Sequence, residues 1–242
     1  MAQAASSDDP PLPWAGGLSV VTPFEQFAGQ AASAIVGRPV NVSCNGANDW
    51  GELASQQRFD PVTVWGFVVF TYDSSTGSLV PGDTMQLSEA ACWYLDELWR
   101  APPDQRGKIC QVATQVTFQP KTVRVRVTRR VKVRGVWRVR VTWVTRTTQV
   151  PVEVPKYGEC PDYMNRVFAV QTISHESQHL AGIRDEATAE CNGMQHLAWF
   201  AQQFGASPDQ ARQMAHDYFH DFYEIRRPGT PYYLPTCPDP AP

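Results

Sequence analysis

The run KTVRVRVTRRVKVRGVWRVRVTWVTR, residues 121–146, limits the fold of this chain more than any other stretch. Valine alternates with arginine at a period of two. That is the strand period, and a helix would scatter those valines around its circumference. The run predicts a β-hairpin. A turn at Arg134-Gly135-Val136 would pair Val133 with Trp137, Val131 with Val139 and Val127 with Trp143 on one face. The other face would pair Lys132 with Arg138 and Arg130 with Arg140, with Arg124 and Arg126 further along. Strands of about 12 residues would each extend roughly 40 Å.

The same run dominates the charge distribution. It holds ten of the chain's 21 basic residues and none of its 24 acidic ones, so the net charge of −3 divides into +10 here and −13 elsewhere. Like charges directly opposite one another destabilise a hairpin. The basic face, with Arg124, Arg126, Arg130, Lys132, Arg138 and Arg140, therefore wants an anionic neighbour. Three kinds fit: the acidic remainder of the chain, an extended substrate laid along the strand, or an external anionic partner such as a membrane surface, cell-wall polymer or nucleic acid.

The remainder reads as α+β, with a strand-rich N-terminal half and a three-helix C-terminal half. At 242 residues with 43% hydrophobic and 19% charged side chains, the chain can bury a sizeable core. Residues 1–16 read as a flexible tail and 17–242 as one domain carrying the hairpin at 121–150. Residues 17–87 read as turns and short strands, the clearest at 62–72. Helices are expected at 87–99 with Ser88 as cap, at 160–182, from Asp185 to about Phe204, and from a cap at Ser207 to about Arg226. No run of roughly 20 apolar residues offers a membrane span. The first residues lack the apolar core of a signal peptide, and their Ser/Asp/Pro character suits a segment that follows a cleavage site. Six widely spaced cysteines, Cys44, Cys92, Cys110, Cys160, Cys191 and Cys237, suit disulfides in an oxidising compartment and allow 15 pairings. A secreted or envelope-associated protein is expected.

The chemistry is concentrated in SHESQHLAGIRDEATAEC, residues 174–191. His175 and His179 stand four apart, so on a helix both imidazoles share a face and can hold one metal ion. Glu176, next to the first, can take a proton from water that the metal acidifies, which is why the chemistry wants this spacing.

On this His-Glu-x-x-His stretch the chain resembles the zincin metallopeptidases. The resemblance covers His175 to about Cys191 and implies a Zn2+ ion held by His175 and His179, with Glu176 as base. The third ligand is open among three carboxylates. Asp185 falls where a metzincin-like H-E-x-x-H-x-x-G-x-x-D pattern would place it, after a turn at Gly182. The expected Met-turn does not follow, and a helical pattern does. The chain is thus more similar to gluzincins, where a second helix supplies a Glu: Glu190 is preferred and Glu186 lies one turn earlier. Asp185 suits the cap of that helix. On the last helix, His216, Tyr218, His220 and Tyr223 are candidate oxyanion stabilisers or a plain packed aromatic face. The expected function is a zinc metallopeptidase acting on a peptide or protein. The rival reading is a binding protein with a structural or degenerate metal site, which uses the hairpin to hold an anionic partner.

Overall fold

A computed structural model describes residues 21–240; the expected tail at 1–16 lies outside them. The chain divides into two compact units, one comprising the residues up to Cys110 and from Cys160 onward, the other Gln111–Glu159. The fold is α+β, as the sequence predicts.

The larger unit begins with α1, Pro23–Val36. The N-terminal region is therefore not only turns and strands. Thr22 and Glu25 form a reciprocal capping box, Pro23 opens the first turn, and Gly37 ends the helix at φ 76°. Its buried residues are Phe24 and Glu25 in the first turn and then the small Ala28, Gly29, Ala31 and Ala32. A Cβ on Gly29 would lie 3.1 Å from the Val40 carbonyl oxygen, so the helix sits directly on backbone. Strand β1 (Asn41–Asn45), a second unexpected helix α2 (Ala47–Gln57), β2 (Gly66–Asp73), β3 (Ser78–Ser88) and α3 (Glu89–Arg100) follow. The strands form one sheet in the order β1-β3-β2, with β1 parallel and β2 antiparallel to β3. Strand β2 is thus an edge.

After the second unit the chain enters α4 (Tyr163–Leu180), α5 (Glu186–Gln203) and α6 (Pro208–Tyr218). A π-helical turn, Phe219–Tyr223, extends the last helix, and a final helical turn ends at Arg226, as expected. Helix α4 is the centre of the unit. It packs against α1, α3, α5, α6, β2 and β3. Most of its residues are buried on every side, including Ser174, His175, Glu176, Ser177, Gln178 and His179. Three disulfides select one of the 15 pairings: Cys44–Cys92 joins β1 to α3, Cys110–Cys160 closes the chain ends that flank the second unit, and Cys191–Cys237 fastens the C-terminal segment to α5. Their Cα separations of 5.9, 5.2 and 5.6 Å suit such bonds. No described helix is long and apolar enough to cross a membrane.

The second unit is a two-stranded ribbon of β4 (Ile109–Val133) and β5 (Val136–Glu159). The hairpin is as predicted, but its turn is not. The loop has two residues, Arg134 at φ 51° and Gly135 at φ 82°, both in the left-handed region that a type I′ turn requires. Val133 therefore faces Val136. Cross-strand bonds from Thr142 to the Val127 carbonyl, Thr148 to Lys121 and Thr117 to Val152 carry the same register outward. The expected pairing of Val133 with Trp137 is wrong by one residue, and a one-residue slip moves every side chain of one strand to the other face. The six basic residues expected together thus divide. Arg124, Arg126, Arg130 and Lys132 share one face, while Arg138 and Arg140 lie on the other.

Candidate metal centre

Helices α4 and α5 form an antiparallel hairpin turned by residues 181–185. Gly182 takes φ 98°, and Asp185 caps α5, accepting from the Thr188 amide at 2.8 Å. The helices touch at Gly193, where a Cβ would stand 3.0 Å from the Cα and the amide nitrogen of His175. Ser174 Oγ donates to the Gly193 carbonyl at 2.7 Å across the same contact.

This packing brings three atoms together. His175 Nε2 and His179 Nε2 are 3.0 Å apart, and Glu186 Oε2 lies 3.1 Å from the first and 3.4 Å from the second. Ligands around a tetrahedral zinc with bonds of about 2.0–2.1 Å are separated by roughly 3.3 Å. On the far side of the rings, His179 Nδ1 donates to the Ile183 carbonyl at 2.6 Å, and His175 Nδ1 stands in ion-pair contact 2.9 Å from Glu190 Oε2. In neutral rings with the proton on Nδ1, both Nε2 lone pairs would face Glu186. Two lone pairs and a carboxylate oxygen within 3.4 Å repel unless a proton or a cation lies among them. His175, His179 and Glu186 thus form a group that could hold a metal ion.

The three candidate carboxylates take three different places. Glu186 joins the imidazoles. Asp185 is the cap. Glu190, preferred on the sequence, lies behind His175 on its Nδ1 side. There it is buried, with Tyr218 Oη donating to Oε1 at 2.5 Å, Arg227 Nε 3.3 Å from the same oxygen, and Gln171 Nε2 donating to Oε2 at 3.2 Å. Its oxygens are engaged by these partners, and it is not among the three groups whose atoms converge. A carboxylate behind a ligating imidazole fixes the ring and its tautomer.

The electrostatics match. Burial opposes charge on His175, yet Glu186 and Glu190 raise its pKa to about 10. Burial likewise raises Glu186, but hydrogen bonds from both histidines bring it down to about 2. Glu176 is shifted up, chiefly by burial and against the pull of His175 and His179. It is 5% exposed, and its Oε2 is buried without a hydrogen-bond partner. Gly66 leaves room for it, since a Cβ there would lie 3.0 Å from Glu176 Cγ.

All these groups line one cavity of about 870 Å³, walled also by aromatic residues such as Trp65, Phe70, Phe168 and Phe222. Of the four candidate oxyanion groups only Tyr218 reaches it, and its hydroxyl is committed to Glu190. His216 lies beside Asp217, His220 bonds Glu224 and Asp239, and Tyr223 bonds the Leu234 backbone. The sequence reading missed Arg227 and Tyr232. Tyr232 stands 5.9 Å from the His175 ring, with the Arg227 guanidinium 4.5 Å from its own ring centre. Both belong to the segment around RRPGTPYY, whose prolines disguise a cavity wall as a plain tail.

No protein-family model, curated protein or solved structure matches the chain.

Proposed function

We propose that this chain is a zinc-dependent metallohydrolase, specifically a peptidase that works in an oxidising, extracellular compartment. One observation carries the reading: two imidazole nitrogens and the Glu186 carboxylate converge within 3.4 Å beside Glu176, a buried carboxylate with an unpartnered oxygen, in one aromatic-walled cavity. His175, His179 and Glu186 would hold the ion, and bound Zn2+ would supply Lewis acidity towards a carbonyl and acidify water. Burial gives Glu176 a higher proton affinity than an exposed carboxylate, which suits it to accept the proton of attacking water and to deliver it to the leaving amine. Glu190 holds the His175 ring. Tyr232, on the wall with its ring 5.9 Å from that of His175, is the phenol placed to donate a hydrogen bond to a carbonyl oxygen that gains charge, since the Tyr218 hydroxyl is taken by Glu190. A peptide is favoured because edge strand β2 borders the cavity through Gly66, Phe67, Val68 and Phe70, where an extended chain can add as a further strand. Three disulfides favour an extracellular site of action.

The test is a pair of variants assayed for bound zinc and for cleavage of a mixed peptide library. His175→Ala should lose both, and Glu176→Gln should keep zinc and lose cleavage. Wild-type protein that takes up no zinc ends the proposal, as does a Glu176→Gln protein that cleaves normally.

A further inference from the structure

The ribbon is not used by the metal site. Its register gives it a property that alternation alone does not. On one face β4 contributes Arg124, Arg126, Arg130 and Lys132, and β5 contributes Trp137, Val139, Val141 and Trp143. Arg126 faces Trp143, Arg130 faces Val139, and Lys132 faces Trp137. A cationic rail and an apolar rail thus run side by side, one strand spacing or about 4.8 Å apart. Trp137 and Trp143 are 65% and 61% exposed, and Val139 and Val141 are exposed as well. A two-stranded ribbon has no second layer of its own to cover them. On the other face Arg129 stands directly opposite Arg140, a destabilising like-charge pair. No acidic residue lies in 121–146, and none of its ten basic side chains forms a salt bridge within the unit.

We propose that this face docks on an anionic phospholipid bilayer, with the β4 rail on lipid phosphates and the β5 rail in the headgroup–acyl boundary. The surface needs a partner that is both anionic and apolar. Nucleic acid would satisfy the arginines and leave Val139 and Val141 in water, and the two tryptophans are six residues apart, about 20 Å, far beyond the base-stacking distance. A second ribbon would cover the valines but would bring like charges together. Anionic bilayers take both: basic residues gain at the charged surface, and tryptophan prefers the interface.

The test is co-sedimentation of the intact, oxidised chain with phosphatidylcholine vesicles and with vesicles containing about one third phosphatidylglycerol. Binding to the anionic vesicles alone is expected. Replacing Arg124, Arg126, Arg130 and Lys132 with Thr should weaken it about five-fold per residue, several hundred-fold together. Replacing Arg129, Arg138 and Arg140 should cost less than about ten-fold. The charge-neutral change of Trp137, Val139, Val141 and Trp143 to Thr should abolish the binding that survives about 0.5 M salt. Quenching of tryptophan by bromine-labelled acyl chains needs no variant, and it is expected in the intact chain and not after Trp137 and Trp143 are replaced. Equal binding to both vesicles, no quenching, or equal losses from the two sets of basic residues would overturn the proposal. So would retention on duplex DNA that depends on the β4 rail when vesicles are not bound.

Discussion

Glu186 and Glu190 lie one helical turn apart, yet the structure gives them different work, and zinc affinity separates the two roles. In the proposed zinc site, changing Glu186 to Gln replaces one of three ligands, an anionic carboxylate, with a weakly ligating neutral amide. Zinc bound by a complete set of four protein ligands is worth about 10–16 kcal/mol, so one ligand carries about 2.5–4 kcal/mol, a loss of roughly 70- to 850-fold. Changing Glu190 to Gln removes no ligand. It loosens His175, whose Nδ1 is 2.9 Å away, and a change behind a ligating imidazole costs about 10–100-fold. Tyr218→Phe, which takes away the 2.5 Å bond to Glu190, acts through one residue more and should cost less than Glu190→Gln. Asp185→Ala should leave affinity within a few-fold and lower stability by about 1 kcal/mol, the value of a cap. Titration of metal-free protein against a chromogenic zinc chelator at neutral pH measures all four. If Glu190→Gln loses more zinc affinity than Glu186→Gln, the assignment of ligand and support is reversed and the geometric reasoning fails.

Three further outcomes are expected. Gly66→Ala drives a methyl to 2.8 Å from Thr172 Cγ2, 2.9 Å from Leu87 Cδ2 and 3.0 Å from Glu176 Cγ; it should destabilise by about 1–3 kcal/mol and lower turnover while zinc is retained, read by thermal unfolding, turnover and metal content. Tyr232→Phe should lower kcat about 10²-fold or more with little change in KM, so an unchanged kcat removes Tyr232 from the chemistry. Asp217, buried beside Lys108 at 3.1 Å, is raised by burial but brought below its ordinary 3.8, chiefly by Lys108. A depressed carboxylate stabilises above its unfolded pKa and loses that contribution as pH falls through the folded one. Asp217→Asn should therefore cost about 1–3 kcal/mol near neutrality, less than a fully buried pair because Lys108 keeps a third of its side chain in water, and the gap from wild type should close below about pH 4 in denaturant titrations.

What the sequence revealed follows the range of the interactions involved. His175, Glu176 and His179 were legible because their relation is local to one helix. The third carboxylate was not, since the choice between Glu186 and Glu190 rests on how α5 crosses α4, and a glycine at 193 sets that. Helix α1 had its signals in the sequence, since TPFE at 22–25 spells a capping box and Phe24, Ala28, Ala31 and Ala32 share a buried face, but alanine makes most of that stripe only weakly apolar. The hairpin itself was plain from alternation. Its register was not, because arginine rarely takes the left-handed conformation that Arg134 adopts in the two-residue turn. Arg227 and Tyr232 reach the cavity through a segment with no regular structure, where no period exists to read.

The Cys191–Cys237 bond ties two walls of the site together covalently. Cys191 directly follows Glu190, and its partner belongs to the same C-terminal stretch as Tyr232. The histidine helix and its carboxylates can fold from residues already joined by one short turn. The wall carrying Tyr232 is held to them by a bond that forms only on oxidation. A reduced chain would lose this covalent tie and keep only the non-covalent contacts of the wall, such as Tyr223 Oη with the Leu234 backbone and Arg227 with Glu190.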